Sequence, residues 1–354
     1  MKRPLCALVL LLIAAPHASA ADENAKPNTL TPKEIADGWI LLFDGQTTFG
    51  WKIDGEAKVQ EGVLVLGGSK ATKGETTTPL PWEGNLDYAL EMETSWQGGT
   101  PPKYSLMAGE PATFDDTSKG KFAPQKSTRK GTNLPATPPK PLAFDVPAGS
   151  TLMLRSLKYR PLSLKPIFNG KDLTGWKEIP ERPSKFTVTG DGELNVKNGP
   201  GDLQTEGQWA DFILQLDVIA NGKHLNSGVF FRCLPGQFWS GYEAQIRNQW
   251  QGDDRTKPVD FGTGAIYNRQ PARKVVSDDG QWFSMTIIAQ GSHMAVWVNG
   301  YQVSDFTDTR PASSNARRGA KLDRGPISLQ GHDPTTDLSF RNIRIAELPG
   351  HIEP

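Results

Sequence analysis

The segment GYEAQIR at 241–247 alternates in a way that divides its side chains between two environments. Successive side chains of a strand point to opposite faces, so Tyr242 belongs to one face while Glu243 and Gln245 belong to the other. A carboxylate and an amide can bind sugar hydroxyls, and a carboxylate can also transfer a proton. We therefore assign Glu243 to catalysis, with Tyr242 and Gln245 binding substrate.

Two further strand-like segments of this half supply a guanidinium and an imidazole. NSGVFFR at 226–232 begins with Asn226 and ends with Arg232, and GPISLQGHD at 325–333 carries His332 at its end. If these strands are neighbours in one sheet, their polar side chains converge on the carboxylate in one hollow. An imidazole suits proton transfer near neutral pH. We assign Arg232 and His332 to catalysis and Asn226 to substrate binding.

Aromatic residues form a third candidate group, because the chain contains 10 tryptophans. Trp239, Tyr242 and Trp250 could form a platform that stacks on a sugar ring, and we assign Trp250 to substrate binding. The acidic pair Asp253 and Asp254 could bind calcium. No cofactor is certain, and a divalent metal such as calcium stays open. The alternating polar faces can also be the solvated side of a half-buried sheet.

Charge and missing motifs exclude several classes of function. The 39 basic and 39 acidic residues give a net charge of zero, whereas phosphate binding needs a basic surface, so nucleic acid is not an expected partner. The chain has no H-E-x-x-H, C-x-x-C, G-x-S-x-G or GK[ST] motif. We expect a saccharide ligand, and nothing in the sequence indicates an oligomeric state.

The N-terminal residues 1–20 read as a signal peptide. Lys2 and Arg3 precede an apolar run, and Ala18-Ser19-Ala20 has the small-x-small pattern of a cleavage site. No later stretch approaches the ~20 apolar residues of a transmembrane helix. We expect an exported protein without a transmembrane segment, in the periplasm or outside the cell.

An internal repeat organises the rest of the chain. LFDGQTTFGWK at 42–52 recurs as IFNGKDLTGWK at 167–177, and LMLRSLKYRPL at 152–162 resembles LSFRNIRIAEL at 338–348. After a linker with a short helix at 21–36, this predicts two related units. The first unit covers 37–162 and is a reduced copy, and the second unit covers 163–354.

Helical signals are few, and the chain reads as short strands separated by turns. Thr31-Pro32-Lys33-Glu34 has the S/T-x-x-E capping box, which predicts a short helix. Asn299-Gly300 joins two alternating runs, which predicts a hairpin. The fold class is all-β, an antiparallel sandwich. Residues 97–150, rich in proline and glycine, are expected to form a long loop without regular strands.

The second unit resembles a known family. IFNGKDLTGW, FILQLDV, NSGVFFR, GYEAQI, GTGAIY, QWFSMTI, VWVNG, GPISLQGH and FRNIRI, in this order, are similar to the 3-keto-disaccharide hydrolase domain family. The resemblance covers about 165–348 as a full domain, and 38–96 with 152–162 as a reduced copy. It implies a concanavalin-like jelly roll of two antiparallel sheets, with ligands on the concave sheet.

The resemblance also implies a reaction. A ketone at C3 of a glycosyl unit acidifies the C2 proton, so a base can remove it and the C1 oxygen can leave, after which water adds. This needs a base and an enolate stabiliser, and it leaves a role for a metal open. We expect His332 or Glu243 as base and Arg232 as stabiliser. The alternative is a non-catalytic, lectin-like saccharide-binding module, and a structural surface protein without a sugar ligand is a third possibility.

Overall fold

The computed structural model describes residues 26–81, 86–106, 111–130 and 138–350. The signal peptide expected at 1–20 lies outside the described residues. The helix α1 (Pro32–Ala36) begins as the capping box predicts, since the Thr31 hydroxyl accepts from the Glu34 N–H and the Glu34 carboxylate accepts from the Thr31 N–H. Within the described residues no helix is long and apolar enough to cross a membrane.

The described residues of the first unit form eleven strands and one short 3-10 helix, Asp116–Ser118. The strands are β1 (Ile40–Leu41), β2 (Trp51–Asp54), β3 (Ala57–Gln60), β4 (Val63–Gly67), β5 (Thr72–Thr76), β6 (Tyr88–Gln97), β7 (Lys103–Ser105), β8 (Ala112–Thr113), β9 (Ala123–Arg129), β10 (Ala143–Val146) and β11 (Thr151–Pro161). They form a six-stranded sheet, β3-β4-β11-β6-β9 with β1 beside β11, and a five-stranded sheet, β2-β5-β10-β7-β8.

The second unit repeats this arrangement with more strands. They are β12 (Lys165–Pro166), β13 (Trp176–Glu178), β14 (Lys185–Val188), β15 (Leu194–Lys197), β16 (Gly201–Thr205), β17 (Phe212–Ala220), β18 (Ser227–Phe231), β19 (Tyr242–Ile246), β20 (Trp250–Gln251), β21 (Asp254–Pro258), β22 (Phe283–Gln290), β23 (His293–Val298), β24 (Tyr301–Thr307), β25 (Ser328–Gly331) and β26 (Asp337–Glu347). One sheet has the order β14-β15-β26-β17-β22-β23-β24 with β12 beside β26, and the other has the order β13-β16-β25-β18-β19. The strand pairing is antiparallel, which confirms the expected sandwich.

The repeated sequence motif forms the same local structure in both units. The indole Nε1 of Trp51 donates to the carbonyl of Leu42 (2.7 Å), and that of Trp176 donates to the carbonyl of Ile167 (2.9 Å). Both tryptophans begin the outer strand of a five-stranded sheet. In each unit, the recurring tryptophan therefore attaches the segment that precedes its own strand to the sandwich.

The expectation of a long loop over 97–150 is wrong for the described residues of that segment. They include the strands β7, β8, β9 and β10, which belong to both sheets of the first unit. Pro124 is tolerated inside β9 because this strand pairs only with β6 at the edge of its sheet, where a missing N–H breaks no ladder. Residues 107–110 and 131–137 lie outside the described residues.

The hairpin predicted at Asn299-Gly300 is confirmed. The strands β23 and β24 pair on either side of it, and both turn residues have positive φ, 49° for Asn299 and 75° for Gly300. These angles are those of a type I′ turn, which matches the twist of the two strands.

The two units share a hydrophobic interface. Outward-facing side chains of the eight-stranded sheet are buried in the hydrophobic cluster of the first unit; they are Ile213, Ile288, Ala295 and Trp297. The Trp297 indole Nε1 also donates to the Leu41 carbonyl (2.9 Å), and Arg273 Nη1 pairs with Asp44 Oδ2 at 2.7 Å. The second unit thus has its own core on one side of this sheet and the first unit on the other.

Candidate functional site

The five-stranded sheet of the second unit has one apolar and one polar face, as the alternation of GYEAQIR predicts. Tyr242, Ala244 and Ile246 lie in the hydrophobic core, whereas Glu243 and Gln245 point the other way. The register pairs Glu243 with Phe230 and Gln245 with Gly228 of the neighbouring strand β18. The polar side chains of β19 and Gln330 of β25 therefore lie on either side of β18, which carries Gly228 and Phe230 at these positions.

This polar face forms the floor of a small pocket, with a cavity volume of about 70 Å³, that opens to solvent. Eight side chains surround it: Asn226, Trp239, Glu243, Gln245, Tyr267, Arg317, Gln330 and His332. Four of the residues predicted for the site are thus brought together: Glu243 and Gln245 on β19, Asn226 just before β18 and His332 just after β25. A pocket this small and open holds at most one sugar residue rather than a polymer chain, and any further group of the ligand lies at the rim.

Asp260 orients two of the amide side chains. Its Oδ2 accepts from Asn226 Nδ2 (3.0 Å) and Gln245 Nε2 (3.2 Å), and its backbone carbonyl accepts from Gln245 Nε2 as well (3.1 Å). Because a carboxylate and a carbonyl can only accept, both amides must turn their N–H groups toward Asp260. This fixes which atom of each amide faces the pocket.

The amide oxygens left at the pocket have no hydrogen-bond partner. Asn226 Oδ1, Gln245 Oε1 and Gln330 Oε1 are all buried and unpaired. An unsatisfied buried acceptor costs roughly 1–3 kcal/mol. Three such acceptors around one pocket suit a ligand that brings several hydroxyl donors.

His332 is held by a carboxylate and an amide. Its Nδ1 lies 2.8 Å from Asp333 Oδ2, and its Nε2 lies 3.3 Å from Asn226 Nδ2. Since Asp333 can only accept and Asn226 donates, the hydrogen is on Nδ1 and Nε2 is an acceptor. An imidazole oriented in this way can take up a proton at Nε2.

Glu243 is a buried carboxyl with a raised pKa. The side chain is 5% exposed, and this burial, with the negative charge of Asp202 in support, raises the pKa of Glu243 to about 8. The guanidinium of Arg317 opposes the shift, its Nη2 lying 3.4 Å from Glu243 Oε2. At neutral pH the carboxyl therefore keeps its proton and can donate it.

Arg317 lies on a segment that spans residues 308–321, here called the Arg317 segment. Arg310 Nη2 braces this segment from inside by donating to the carbonyls of Ala316 (2.8 Å) and Gly319 (3.0 Å). Arg310 also pairs with Asp308 at 2.7 Å. The guanidinium of Arg317 is thus presented to the pocket by an ordered segment.

The assignment of Arg232 to the pocket is wrong. Strand β18 ends at Phe231, and Arg232 has a φ of 52°, so the alternation that put it on the polar face stops one residue too early. Its side chain is fully buried and pairs with Asp211 (2.9 Å) while donating to the carbonyls of Ala210, Gly291 and Lys321. In the described part of the chain, the guanidinium that lines the pocket is that of Arg317.

Tyr242 and Trp250 also lie outside the pocket. The Tyr242 ring packs in the core, where it stacks on Phe231 with ring centroids 5.6 Å apart. Trp250 lines a different cleft, and the Arg255 guanidinium covers its ring at 4.1 Å. The expectation that these two residues contact the substrate in this pocket is therefore wrong.

Most of the residues that sequence analysis missed lie in connections between strands, whereas Gln330 lies on β25. Asp260, Arg317 and Asp333 lie outside the regular strands, where no side-chain period connects them with the sheet. Asp333 was within reach, because it directly follows His332 and a carboxylate next to an imidazole is a recognisable pair. Asp260 and Arg317 carry no such local signal.

Among the described residues, no group of three or more His, Cys, Asp and Glu is arranged to hold a metal ion. Asp254, expected to bind calcium with Asp253, instead accepts from Thr256 and pairs with Lys257 at 3.1 Å. In the pocket, Asp260 and Asp333 are already engaged with Asn226, Gln245 and His332.

Comparisons with known proteins add a family. In solved structures, two proteins of Parabacteroides distasonis provisionally classed as glycosyl hydrolases are similar to part of the chain. One is 23% identical (TM-score 0.43, 52% of this chain and 94% of that chain), and the other is 27% identical (TM-score 0.42, 53% and 100%). The carbohydrate-binding module CBM66 of Bacillus subtilis is 16% identical (TM-score 0.36, 48% and 93%).

A search of curated proteins finds no match. The family described as the 3-keto-alpha-glucoside-1,2-lyase-like domain matches residues 163–346, which contain every residue of the pocket. The chain belongs to the 3-keto-alpha-glucoside-1,2-lyase-like domain family.

Proposed function

We propose that the chain is an exported carbohydrate-active enzyme that cleaves 3-keto-glycosides by elimination followed by hydration. The observation that carries this proposal is that one pocket holds two proton-transfer groups in complementary states. His332 has an acceptor at Nε2, while Glu243, with a pKa of about 8, holds a proton at neutral pH. The family description supports the substrate class.

The first step removes the proton at C2, which the neighbouring C3 ketone acidifies. His332 Nε2 accepts this proton, and the C–H electron pair forms the C2=C3 double bond of an enolate. Negative charge develops on the C3 oxygen, and the Arg317 guanidinium balances it. The Asp333 carboxylate, which contacts His332 Nδ1, stabilises the positive charge of the imidazolium that forms.

The second step expels the group attached to C1. The enolate re-forms the ketone, the C1=C2 double bond forms, and the C1–O bond breaks. Glu243 gives its proton to the leaving oxygen, so the products are an alcohol and an unsaturated 3-keto sugar. A protonated carboxyl is the species this step needs, which gives the raised pKa of Glu243 a function.

Hydration returns both groups to their starting states. The Glu243 carboxylate takes a proton from water, the resulting hydroxide adds to C1, and the protonated His332 returns a proton to C2. The net change is hydrolysis of the glycosidic bond without loss of protons from the enzyme. The amide oxygens of Asn226, Gln245 and Gln330 are the acceptors for the remaining sugar hydroxyls.

The test is turnover of 3-keto-trehalose or a 3-keto-glucoside, followed by the release of free sugar or alcohol. We expect Glu243→Gln and His332→Ala each to lower kcat by at least about 100-fold, as expected for loss of a proton-transfer group. Glu206→Gln, which changes an exposed glutamate of the same unit, is the matched control. Saccharide binding with no turnover by the wild-type protein would leave the lectin-like alternative.

Export is part of the proposal and rests on the signal-like residues 1–20. Expression of the full chain in a Gram-negative host, followed by cell fractionation and N-terminal sequencing, tests it. We expect a periplasmic or extracellular protein that begins after Ala20. A cytoplasmic protein that retains Met1 would contradict export.

A further inference from the structure

Trp239 stands at the rim of the pocket with a large part of its indole exposed. Its exposed fraction is 42%, and among the described residues the only other large hydrophobic side chain in this class is Leu322 at 36%. Exposed single apolar residues are common, but this one lines the pocket that holds His332 and Glu243. A ligand bound in this pocket would therefore contact the indole of Trp239 at the rim.

The backbone of Trp239 is held in an unfavourable conformation. Its φ is 55°, and positive φ is uncommon for a bulky residue without a structural or functional reason. Two contacts hold this conformation: the Trp239 N–H donates to Asp202 Oδ2 (3.2 Å), and Arg317 Nε donates to the Trp239 carbonyl (3.2 Å). The fold therefore fixes an exposed indole in place from both sides of its backbone.

The loop around Trp239 is anchored to the floor of the sheet. Gln204 of strand β16 accepts from the Gly236 N–H (2.9 Å) and donates to the Gln237 carbonyl (3.2 Å). Ser240 closes the loop, because its hydroxyl accepts from the Leu234 N–H (2.8 Å). The indole is thus attached to the same sheet that carries the amide oxygens.

A row of flat groups continues the indole along the rim. The Phe238 and Trp239 rings stack with centroids 4.9 Å apart, and the Arg182 guanidinium lies 4.4 Å from the Phe238 ring centre. On the pocket side, Trp239 and His332 stack with centroids 5.9 Å apart and an interplanar angle of 27°. The row therefore begins at the imidazole and leads out of the pocket.

We propose that Trp239 forms the subsite for the leaving group, and that the protein selects glycosides whose C1 substituent has a flat, partly apolar face. This rests on the proposed function, which puts the cleaved sugar in the pocket among the amide oxygens. A pocket this small has no room for the C1 substituent, which therefore lies at the rim, where Trp239 is exposed. A second pyranose ring and an aromatic aglycone both have such a face, and a methyl group does not.

Binding of unoxidised glucosides tests the subsite without any turnover, because they lack the C3 ketone. Calorimetry would compare 4-nitrophenyl α-glucoside, trehalose and methyl α-glucoside. We expect the first two to bind the wild type about tenfold more tightly than the methyl glucoside, and Trp239→Ala to remove this preference while Trp239→Phe keeps most of it. Trp250→Ala, which changes a half-buried tryptophan of the same unit outside the pocket, is the control.

The outcomes separate the subsite from the reaction. Equal affinity for all three glucosides, no binding of any of them, or an unchanged preference in Trp239→Ala would overturn the subsite. Preference for trehalose alone identifies a sugar as the leaving group, and preference for the aryl glucoside alone identifies an aromatic one. If Trp239→Ala removes the preference but 3-keto-glycosides are not cleaved, the subsite stands and the proposed reaction falls.

Discussion

The hydroxyl of Tyr242 accepts a hydrogen bond from the backbone N–H of Lys321, at 2.9 Å, and donates to Asp308 Oδ2, at 2.7 Å. It therefore joins the two ends of the Arg317 segment. Arg232 holds the same end of that segment, since its Nη1 donates to the Lys321 carbonyl at 2.9 Å. Two residues that do not line the pocket thus fix the segment that brings Arg317 to Glu243.

Replacing Tyr242 with phenylalanine should loosen the Arg317 segment without emptying the core. Burial raises the pKa of Tyr242 to about 12, so the hydroxyl is a permanent donor that phenylalanine lacks. We expect Tyr242→Phe to lower kcat/KM about tenfold and to move the alkaline limb of the pH profile upward, because the Arg317 charge no longer opposes the raised pKa of Glu243. Steady-state kinetics from pH 5 to 10 measure both effects.

Tyr301→Phe is the control for this variant, because Tyr301 is a partly buried tyrosine of the same unit whose hydroxyl lies 3.5 Å from Asp44 Oδ2. A lost buried hydrogen bond costs about 1 kcal/mol, so both variants can be slightly less stable. If Tyr242→Phe loses stability but keeps the wild-type pH profile, Tyr242 does not position Arg317.

The pH dependence of catalysis should follow the protonation of Glu243. Burial raises the pKa of this carboxyl to about 8, and the proposed elimination needs its protonated form. We therefore expect kcat/KM for a 3-keto-glucoside to fall as pH rises through about 8, in a limb that is absent from the residual activity of Glu243→Gln. Activity that rises through this range would show that Glu243 acts as a base in the first step.

The same pKa predicts how stability changes with pH. Between about pH 4.5, the ordinary pKa of a glutamate, and about pH 8, the native protein holds a proton that the unfolded chain has released. The wild type must therefore lose stability as pH rises through this window, by up to about 1.4 kcal/mol per pH unit. A glutamine side chain does not titrate in this pH range, so Glu243→Gln lacks this contribution to the pH dependence of stability.

Glu243→Gln should accordingly become more stable than the wild type as pH rises from 5 to 8. Urea unfolding at several pH values measures the difference between the two proteins, and Glu206→Gln serves as the exposed reference. A difference that stays constant over this range would mean that Glu243 titrates near its ordinary value.

The two arginines should separate stability from activity. Arg232 is fully buried and paired with Asp211, so Arg232→Ala removes the positive charge that faces this buried carboxylate and should cost about 3–5 kcal/mol. Arg317 is partly exposed, so Arg317→Ala should change stability by no more than about 1 kcal/mol. We expect Arg317→Ala to lower kcat by about 100-fold or more.

Thermal unfolding and kinetics on both arginine variants provide the check. Arg317→Lys should recover part of the activity, because it restores the positive charge without the planar fork. Loss of stability in Arg317→Ala with normal kcat would reverse the two roles.

Gly228 keeps the floor of the pocket open. A Cβ at this position would lie 2.6 Å from Glu243 Oε1 and 2.8 Å from its Cγ. Gly228→Ala should therefore displace the Glu243 side chain and lower kcat/KM at least about tenfold, at a stability cost of about 1–3 kcal/mol for overpacking. Gly252→Ala cannot serve as a neutral reference because its φ is 55°, so Gly99→Ala, where nothing lies within 4 Å, is the control.

Alternation predicted the part of the site that lies on regular strands. Glu243 and Gln245 face the pocket and Tyr242 faces the core, because β19 keeps its period of two over its whole length. The same rule failed for Arg232, since a strand ends where its backbone leaves the extended region and the sequence NSGVFFR does not mark that point. The alternation of side chains between two faces predicts their direction only for residues that lie within a strand.

The repeat predicted two sandwiches, but the contacts made by loops could not be predicted. Asp260 contacts Asn226 and Gln245 only because the loop that carries it folds back over the sheet. Arg317 contacts Glu243 although the two residues are 74 positions apart in the sequence. Proline content was also a poor guide over 97–150, because Pro124 occupies an edge strand where proline is tolerated.

The shared interface between the units has a practical consequence for anyone who isolates the catalytic half. A fragment trimmed to the family match at 163–346 would expose Ile213, Ile288, Ala295 and Trp297 to water, with the Trp297 N–H deprived of its acceptor. Such a bare apolar sheet is prone to self-association. The first unit therefore keeps the second unit soluble by covering this sheet. Aggregation of a fragment that lacks the first unit should not be interpreted as an intrinsic instability of the second unit.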